Sequence, residues 1–206
     1  IGSVRLSIVD LASGQQPMCD DSGRYWIVYN GEIFNYPELK AEMQKKRIRF
    51  RTNCDTEIVV QMYAHYGVDC LNKFNGQFAF CIWDKYRKEL FLARDRVGIR
   101  PLFYWHKNDS FAFCSEMKGL FALDEIDRRL NRESLGQIFT FWTTISPGTP
   151  FENVYELPPG HYMHINSGGS SVKKFWELDF SGNETGKEPN FADTLEEFSD
   201  LLHDSV

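Results

Sequence analysis

The sequence predicts an α+β domain built on antiparallel sheets, and three observations carry that expectation. The middle of the chain holds two closely spaced pairs of aromatic and β-branched runs, 77–84 with 89–94 and 101–105 with 110–114, each pair separated by a short polar turn. The elements follow one another as strands, then helices, then strands, the arrangement of α+β chains. With 206 residues, 42% hydrophobic and 15% aromatic, the chain can bury a full core and fits one large domain better than two small ones.

The first element is a short alternating strand, Val4 to Val9, in which Arg5 points away from Leu6. Asp10 to Met18, with Ser13-Gly14 and Pro17, is a loop. Tyr25 to Tyr29 is a strand, and Asn30-Gly31 marks a turn at its end. A simple hairpin would continue into a partner strand, whereas Ile33-Phe34-Asn35-Tyr36-Pro37 leads into a helix, so the turn is read as aimed at something. Pro37 sits where a helix tolerates a missing N–H, and Glu38 to Lys45 forms a surface helix with Leu39 and Met43 four apart. Ile48 to Phe50 returns as a strand. Asp55 then caps a helix from Thr56 to Tyr66 that Gly67 stops.

Two hairpins follow, the first turning at Lys85 to Lys88 and the second at Lys107-Asn108-Asp109. Ser115-Glu116 opens a helix to Ala122, and Asn131 caps another, Arg132 to Phe141. Beyond Pro150 come strands at 155–157, 161–165 and 172–176, the first two joined by Pro158-Pro159-Gly160. The polar, turn-rich Ser181 to Pro189 ends the domain, giving a domain over 1–180, a linker over 181–190 and a further element over 191–206. That last stretch is an amphipathic helix through Phe191, Leu195, Phe198, Leu201 and Leu202, read as the start of a second domain. Ile1, with a strand under way by Val4, predicts a chain cut at its front as well.

Charge and cysteine usage exclude several classes. Lys plus Arg number 23 against 29 Asp plus Glu, a net charge of −6, and the basic residues are scattered, which argues against nucleic-acid binding. Five cysteines form an odd set without paired short spacing, as in a reduced cytoplasmic protein without a disulfide frame or zinc site. No apolar run approaches membrane-spanning length. The histidines show no metal-ligating spacing, and none is read as catalytic.

Tyr29-Asn30-Gly31-Glu32-Ile33-Phe34-Asn35, Cys54-Asp55-Thr56-Glu57, the run from Ala93 to Leu102, Ser115-Glu116-Met117-Lys118 and Pro158-Pro159-Gly160-His161 together resemble the glutaminase domain of glutamine-hydrolysing asparagine synthetases. Order and spacing agree from about Arg5 to Trp176. The Arg94 to Leu102 stretch alone is similar to the wider class II glutamine amidotransferases, including glucosamine-6-phosphate synthase and amidophosphoribosyltransferase. The resemblance implies the N-terminal-nucleophile hydrolase fold, a four-layer αββα sandwich of two antiparallel sheets, here lacking its first strands.

Hydrolysing the side-chain amide of glutamine requires a nucleophile, a site for the tetrahedral oxyanion and a clamp for the free amino acid. By the resemblance, the Asn30 side-chain amide and the Gly31 backbone N–H form the oxyanion hole, and both line the substrate site. Arg5 holds the α-carboxylate, a job its guanidinium fork suits, while Glu32 and Asp55 hold the α-ammonium. Taken alone, Arg5 reads as a solvated strand arginine, Asn30-Gly31 as a plain turn and Asp55 as an N-cap. Arg94, Asp95, Arg96 and Arg100 are read as structural, either a buried network fixing the pocket loop or a charged hairpin rim.

The family's nucleophile is a cysteine at the mature N-terminus, a few dozen residues before the position of Arg5, activated by its own α-amino group. That segment is absent from the sequence, so this stretch by itself is expected to be inactive. Cys54 is a poor substitute because an internal thiol lacks the amine. Ser3-Val4 also replaces the basic pair common before the arginine. The resemblance implies glutamine as substrate, with ammonia passed to an ATP- and Mg-dependent synthetase domain after Val206 that amidates aspartate to asparagine; a homodimer is a further family expectation. The alternative is a non-hydrolytic scaffold like that of β-lactam synthetase, or an amidotransferase with another acceptor. Joint retention of Arg5, Asn30, Gly31, Glu32 and Asp55 favours hydrolysis.

Overall fold

The computed structural model describes residues 1–3, 14–181 and 190–205. The expected strand Val4 to Val9, with Arg5, lies outside the described residues, as does most of the expected linker. The strands are β1 (Met18–Cys19), β2 (Tyr25–Ile33), β3 (Gly76–Asp84), β4 (Glu89–Arg94), β5 (Phe103–Lys107), β6 (Ser110–Cys114), β7 (Val154–Glu156), β8 (His161–Asn166) and β9 (Gly169–Lys174). The α-helices are α1 (Tyr36–Lys45), α2 (Asp55–Tyr66), α3 (Met117–Leu120), α4 (Arg132–Phe141) and α5 (Phe191–Asp204), and a 3-10 helix at Gly67–Lys73 follows α2.

The strands form two antiparallel sheets, a large one in the order β1-β2-β3-β4-β8-β9 and a small one in the order β6-β5-β7. Alternation along the strands sorts their side chains into layers. Ile27, Tyr29, Phe78, Phe80, Ile82 and Phe91 pack one face of the large sheet against Leu39 and Met43 of α1 and Ile58, Val59 and Met62 of α2. Val28, Ala79, Cys81, Leu92 and Met163 turn the other way and meet Leu102, Leu157 and Tyr104, which belong to the small sheet and its flanks. Trp105 and Val154 point outward from the small sheet and are covered by Leu120 of α3 and by Ile126. The result is the helix–sheet–sheet–helix sandwich that the resemblance implied.

Several boundaries differ from the sequence reading, each for a local reason. β2 does not end at Tyr29; it runs on through Asn30, Gly31 and Glu32, in unbroken register with β3 from Tyr25↔Asp84 to Ile33↔Gly76. The expected 48–50 strand does not form, because the chain there is tied to its neighbours in sequence. The Ile48 N–H donates to Met43, and the buried Glu57 carboxylate accepts from the N–H groups of Arg51 and Thr52. The N-cap of α2 is Cys54, so Asp55 is the first helical residue and caps nothing. Gly67 does end α2, with φ +58, and the chain then tightens into the 3-10 helix. β9 starts three residues earlier than expected, since Asn166 pairs with Gly169 across a tight Ser167-Gly168 turn. The cap at Asn131 matches the expectation, its Oδ1 accepting the Ser134 N–H at 3.1 Å.

Asn190 caps α5 in the same manner, yet Phe191, Leu195, Phe198, Leu201 and Leu202 are all exposed. None of the five cysteines forms a disulfide. No helix among the described residues is long and apolar enough to cross a membrane.

Candidate active site

The candidate site is built on the second half of β2. Residues 26, 28, 30 and 32 direct their backbone groups toward β3, and the odd-numbered residues direct theirs to the outer edge. Four of the five outer positions are filled, each by a different device. Tyr25 exchanges two bonds with Asp20, its N–H reaching Oδ1 at 2.9 Å and its carbonyl accepting the Asp20 N–H at 3.1 Å. Ile27 pairs with Met18 of β1. Tyr29 bonds the side-chain amide of Gln16 on both sides, N–H to Oε1 at 2.7 Å and carbonyl from Nε2 at 3.0 Å. The Ile33 N–H donates to Asp55 Oδ2 at 3.2 Å. Between these two stands the N–H of Gly31, with no acceptor among the described residues.

Gly31 is required here by lack of room. Its φ is +153, and a Cβ built on it would fall 2.1 Å from the Gln77 carbonyl oxygen and 2.7 Å from the Phe78 Cα. On the facing strand, a Cβ on Gly76 would fall 2.3 Å from the Glu32 carbonyl oxygen. The two glycines let β2 and β3 approach closely, so the Asn-Gly pair serves a tight strand crossing instead of a turn.

Asn30 and Glu32 share the face of β2 that Val28 uses, toward the small sheet. Both are half-buried, and neither side chain bonds to a described residue. The structure therefore brings an amide donor, a backbone N–H and a carboxylate together on three consecutive residues. Asp55 reaches the same end of β2 from the helix side. Its Oδ2 accepts from the Tyr29 hydroxyl at 2.7 Å as well as from Ile33, and its Oδ1 lies 3.6 Å from Cys54 Sγ. Burial, reinforced by the Asp55 charge, pushes the Tyr29 hydroxyl well above its usual range, which fixes it as a donor to that carboxylate. Cys54 is 1% exposed with its sulfur 3.3 Å from Thr56 Oγ1, a packed thiol that offers no face for attack on a substrate.

The Arg94–Arg100 stretch resolves the choice left open by its charge pattern. Arg94 is buried and spreads its guanidinium over the carbonyls of Gly98, Arg100 and Leu157 and the Glu156 carboxylate at 2.8–3.1 Å. Asp95, 1% exposed, accepts from the N–H groups of Phe78, Val97, Ile99 and Arg100. Its own N–H donates to the Phe78 carbonyl at 2.7 Å. Phe78 is the register partner of Gly31, so these residues anchor the loop beside the candidate site, while Arg96 is exposed over the Trp176 ring.

Sequence reasoning missed Gln16 and the Tyr29 hydroxyl as supports, whereas Asp95 falls in the buried network that was one of its two readings. Gln16-Pro17 lies in a segment read only as a loop, and nothing local signals that its amide closes a strand edge 13 residues away. A separate cavity of about 200 Å³ is lined by Trp105, His106, Glu125, Asp127, Arg129 and Glu152, among others, and none of its lining residues belongs to β2 or α2. Among the described residues no cluster of His, Cys, Asp and Glu is disposed to hold a metal ion.

Comparison with known proteins bears on this geometry. Residues 1–176 match the family described as the glutamine amidotransferase domain. The chain is 36% identical over its full length to "Asparagine synthetase [glutamine-hydrolyzing] 3" of Bacillus subtilis, covering 33% of that protein. It is 34% identical, again over its full length, to a putative glutamine-hydrolysing asparagine synthetase of Methanocaldococcus jannaschii, covering 42% of it. Among solved structures, glutamine phosphoribosylpyrophosphate amidotransferase from B. subtilis superposes over 80% of this chain and 32% of its own, with a TM-score of 0.58 and 21% identity, a likeness of fold. The chain thus spans a third to two-fifths of the length of these curated relatives.

Proposed function

The chain belongs to the glutamine amidotransferase domain family, and from that premise we propose that it is the glutaminase portion of an asparagine synthetase-like enzyme. The observation that carries the proposal is the Gly31 N–H, which has no acceptor among the described residues although the positions on either side of it are filled, beside the Asn30 amide, which bonds to no described residue. Attack on the glutamine side-chain amide turns a planar carbonyl into a tetrahedral oxyanion, and two donors held on a rigid strand stabilise that charge without reorganising. Glu32, on the same face as Asn30, takes the substrate α-ammonium, with Asp55 adding negative charge at the end of β2 and Arg5 pairing the α-carboxylate. The nucleophile that such a site serves is a cysteine activated by its own α-amino group.

The released ammonia serves an ATP- and Mg²⁺-dependent domain that begins with α5 and amidates aspartate. A non-hydrolytic scaffold would have no use for an unfilled oxyanion site, and the similar curated relatives are named as glutamine-hydrolysing. The test is glutamate release by the full-length gene product. Asn30→Ala lowers kcat about 10²–10³-fold while the melting temperature holds, because the Asn30 side chain bonds to no described residue. An unchanged kcat would refute the oxyanion assignment.

A further inference from the structure

α4 ends in an aromatic cluster that its own domain leaves in solvent. Leu135, Ile138, Phe139 and Trp142 recur three and four residues apart, the stripe of a helix that packs against a partner. Yet Phe139 is 87% exposed and Trp142 93%, and Phe141 and Ile145 beside them are each more than half exposed. The backbone that carries them is well tied. The Trp142 N–H donates to Ile138, the Ile145 N–H to Gln137 Oε1 and the Gly148 N–H to Ile145, each at 2.9 Å, and Thr149 Oγ1 donates to the Val154 carbonyl at 2.6 Å. Trp142 even adopts a left-handed φ of +64, unfavourable for a bulky side chain, and that conformation closes the helix with the indole in solvent.

We propose that this cluster is the docking surface for the part of the same polypeptide that continues from α5, so that the synthetase portion seats on the α4 end of the glutaminase domain. The inference rests on the reading above, that the chain is the leading portion of a longer amidotransferase. Two observations select this occupant. The matched curated relatives are two to three times the length of this chain. The last described helix, α5, presents a second uncovered stripe through Phe191, Leu195, Phe198 and Leu202, so the body that covers α5 is tethered to this domain and meets α4 at a high effective concentration. Size is consistent as well: three aromatic side chains at about 150–250 Å² each reach the lower range of interdomain interfaces, about 600–1,500 Å².

Hydroxyl-radical footprinting of the unmodified full-length protein tests this without any substitution, using the exposed Tyr86 as the internal reference. Trp142 is expected to be oxidised about tenfold or more slowly in the native protein than after unfolding, independently of protein concentration. Oxidation of Trp142 at its unfolded rate would overturn the proposal. Protection that disappears on dilution would overturn it too, because a second copy would then be the cover. Glutamine hydrolysis is assayed on the same sample: an active enzyme with reactive Trp142 removes the docking surface and leaves the function, whereas an inactive one with protected Trp142 does the reverse.

Discussion

Replacing Gly31 by alanine should damage both the scaffold and the chemistry. The added Cβ would sit 2.1 Å from the Gln77 carbonyl oxygen and 2.7 Å from the Phe78 Cα, both backbone atoms of β3 that cannot swing aside like a flexible side chain. β2 and β3 must part by close to an ångström, at the point where Asp95 clamps Phe78. Overpacking of this kind costs about 1–3 kcal/mol and the φ of a non-glycine residue here about 1–3 kcal/mol more. Each kcal/mol lowers the melting temperature of a domain this size by about 2–4 °C. Gly23→Ala is the control, since Gly23 also has positive φ, +69, but nothing within 4 Å of its Cβ position. Thermal melts of both variants then separate backbone strain from the clash, and glutamate release by the full-length enzyme reports the displaced N–H. If Gly31→Ala melts with Gly23→Ala and keeps the wild-type kcat, the argument from the close strand crossing is wrong.

Three further outcomes are expected. The Arg24 guanidinium, bonded to Asp84 at 2.6–3.1 Å, holds that carboxyl below its usual value. A lowered native pKa stabilises the fold above the unfolded value and ceases to do so as pH falls through the native one, so the stability gap between wild type and Asp84→Asn in urea melts should narrow below about pH 4; a gap constant down to pH 2 would refute the linkage. Arg94→Met strands three carbonyls and the Glu156 carboxylate, and should cost about 2–5 kcal/mol in chemical denaturation, whereas a loss within about 0.5 kcal/mol would show the network to be dispensable. Burial pushes the Cys70 and Cys81 thiols far up from their usual range, so native alkylation at pH 8 should label the half-buried Cys19 and Cys114 well before them; equal rates would mean that the core opens readily.

The layered architecture was legible because its determinants are local: aromatic runs of strand length, polar turns between them, and caps such as Asn131. β4, β6 and α4 fall where the residues place them. Asn30, Gly31, Glu32 and Asp55 are singled out by their motifs, and the structure places them at one end of β2, although Arg5 lies outside the described residues. Three errors share a cause. Asn30-Gly31 was read as a turn, Ile48 to Phe50 as a strand and Asp55 as a cap, and in each case a contact distant in sequence or a neighbouring carboxylate overrides local preference. Close passage of β3 keeps Gly31 extended, Glu57 takes the N–H groups after 48–50, and Tyr29 and Ile33 claim Asp55. Gln16 carried no local signal because an amide side chain that imitates a peptide bond looks like any polar loop residue.

That imitation has a consequence for what the site admits. An extended polypeptide zips onto a sheet edge only where it meets a run of alternating donors and acceptors. Among the described residues, Asp20, Met18, Gln16 and Asp55 occupy that run from Tyr25 to Ile33 and leave a gap at Gly31. A strand cannot be added across a one-residue opening, but a single oxygen atom can enter it. On the proposed glutaminase reading, the same closure that protects β2 from sticky edge-to-edge association would sort small amides from the peptide backbone of other proteins before any charge clamp acts.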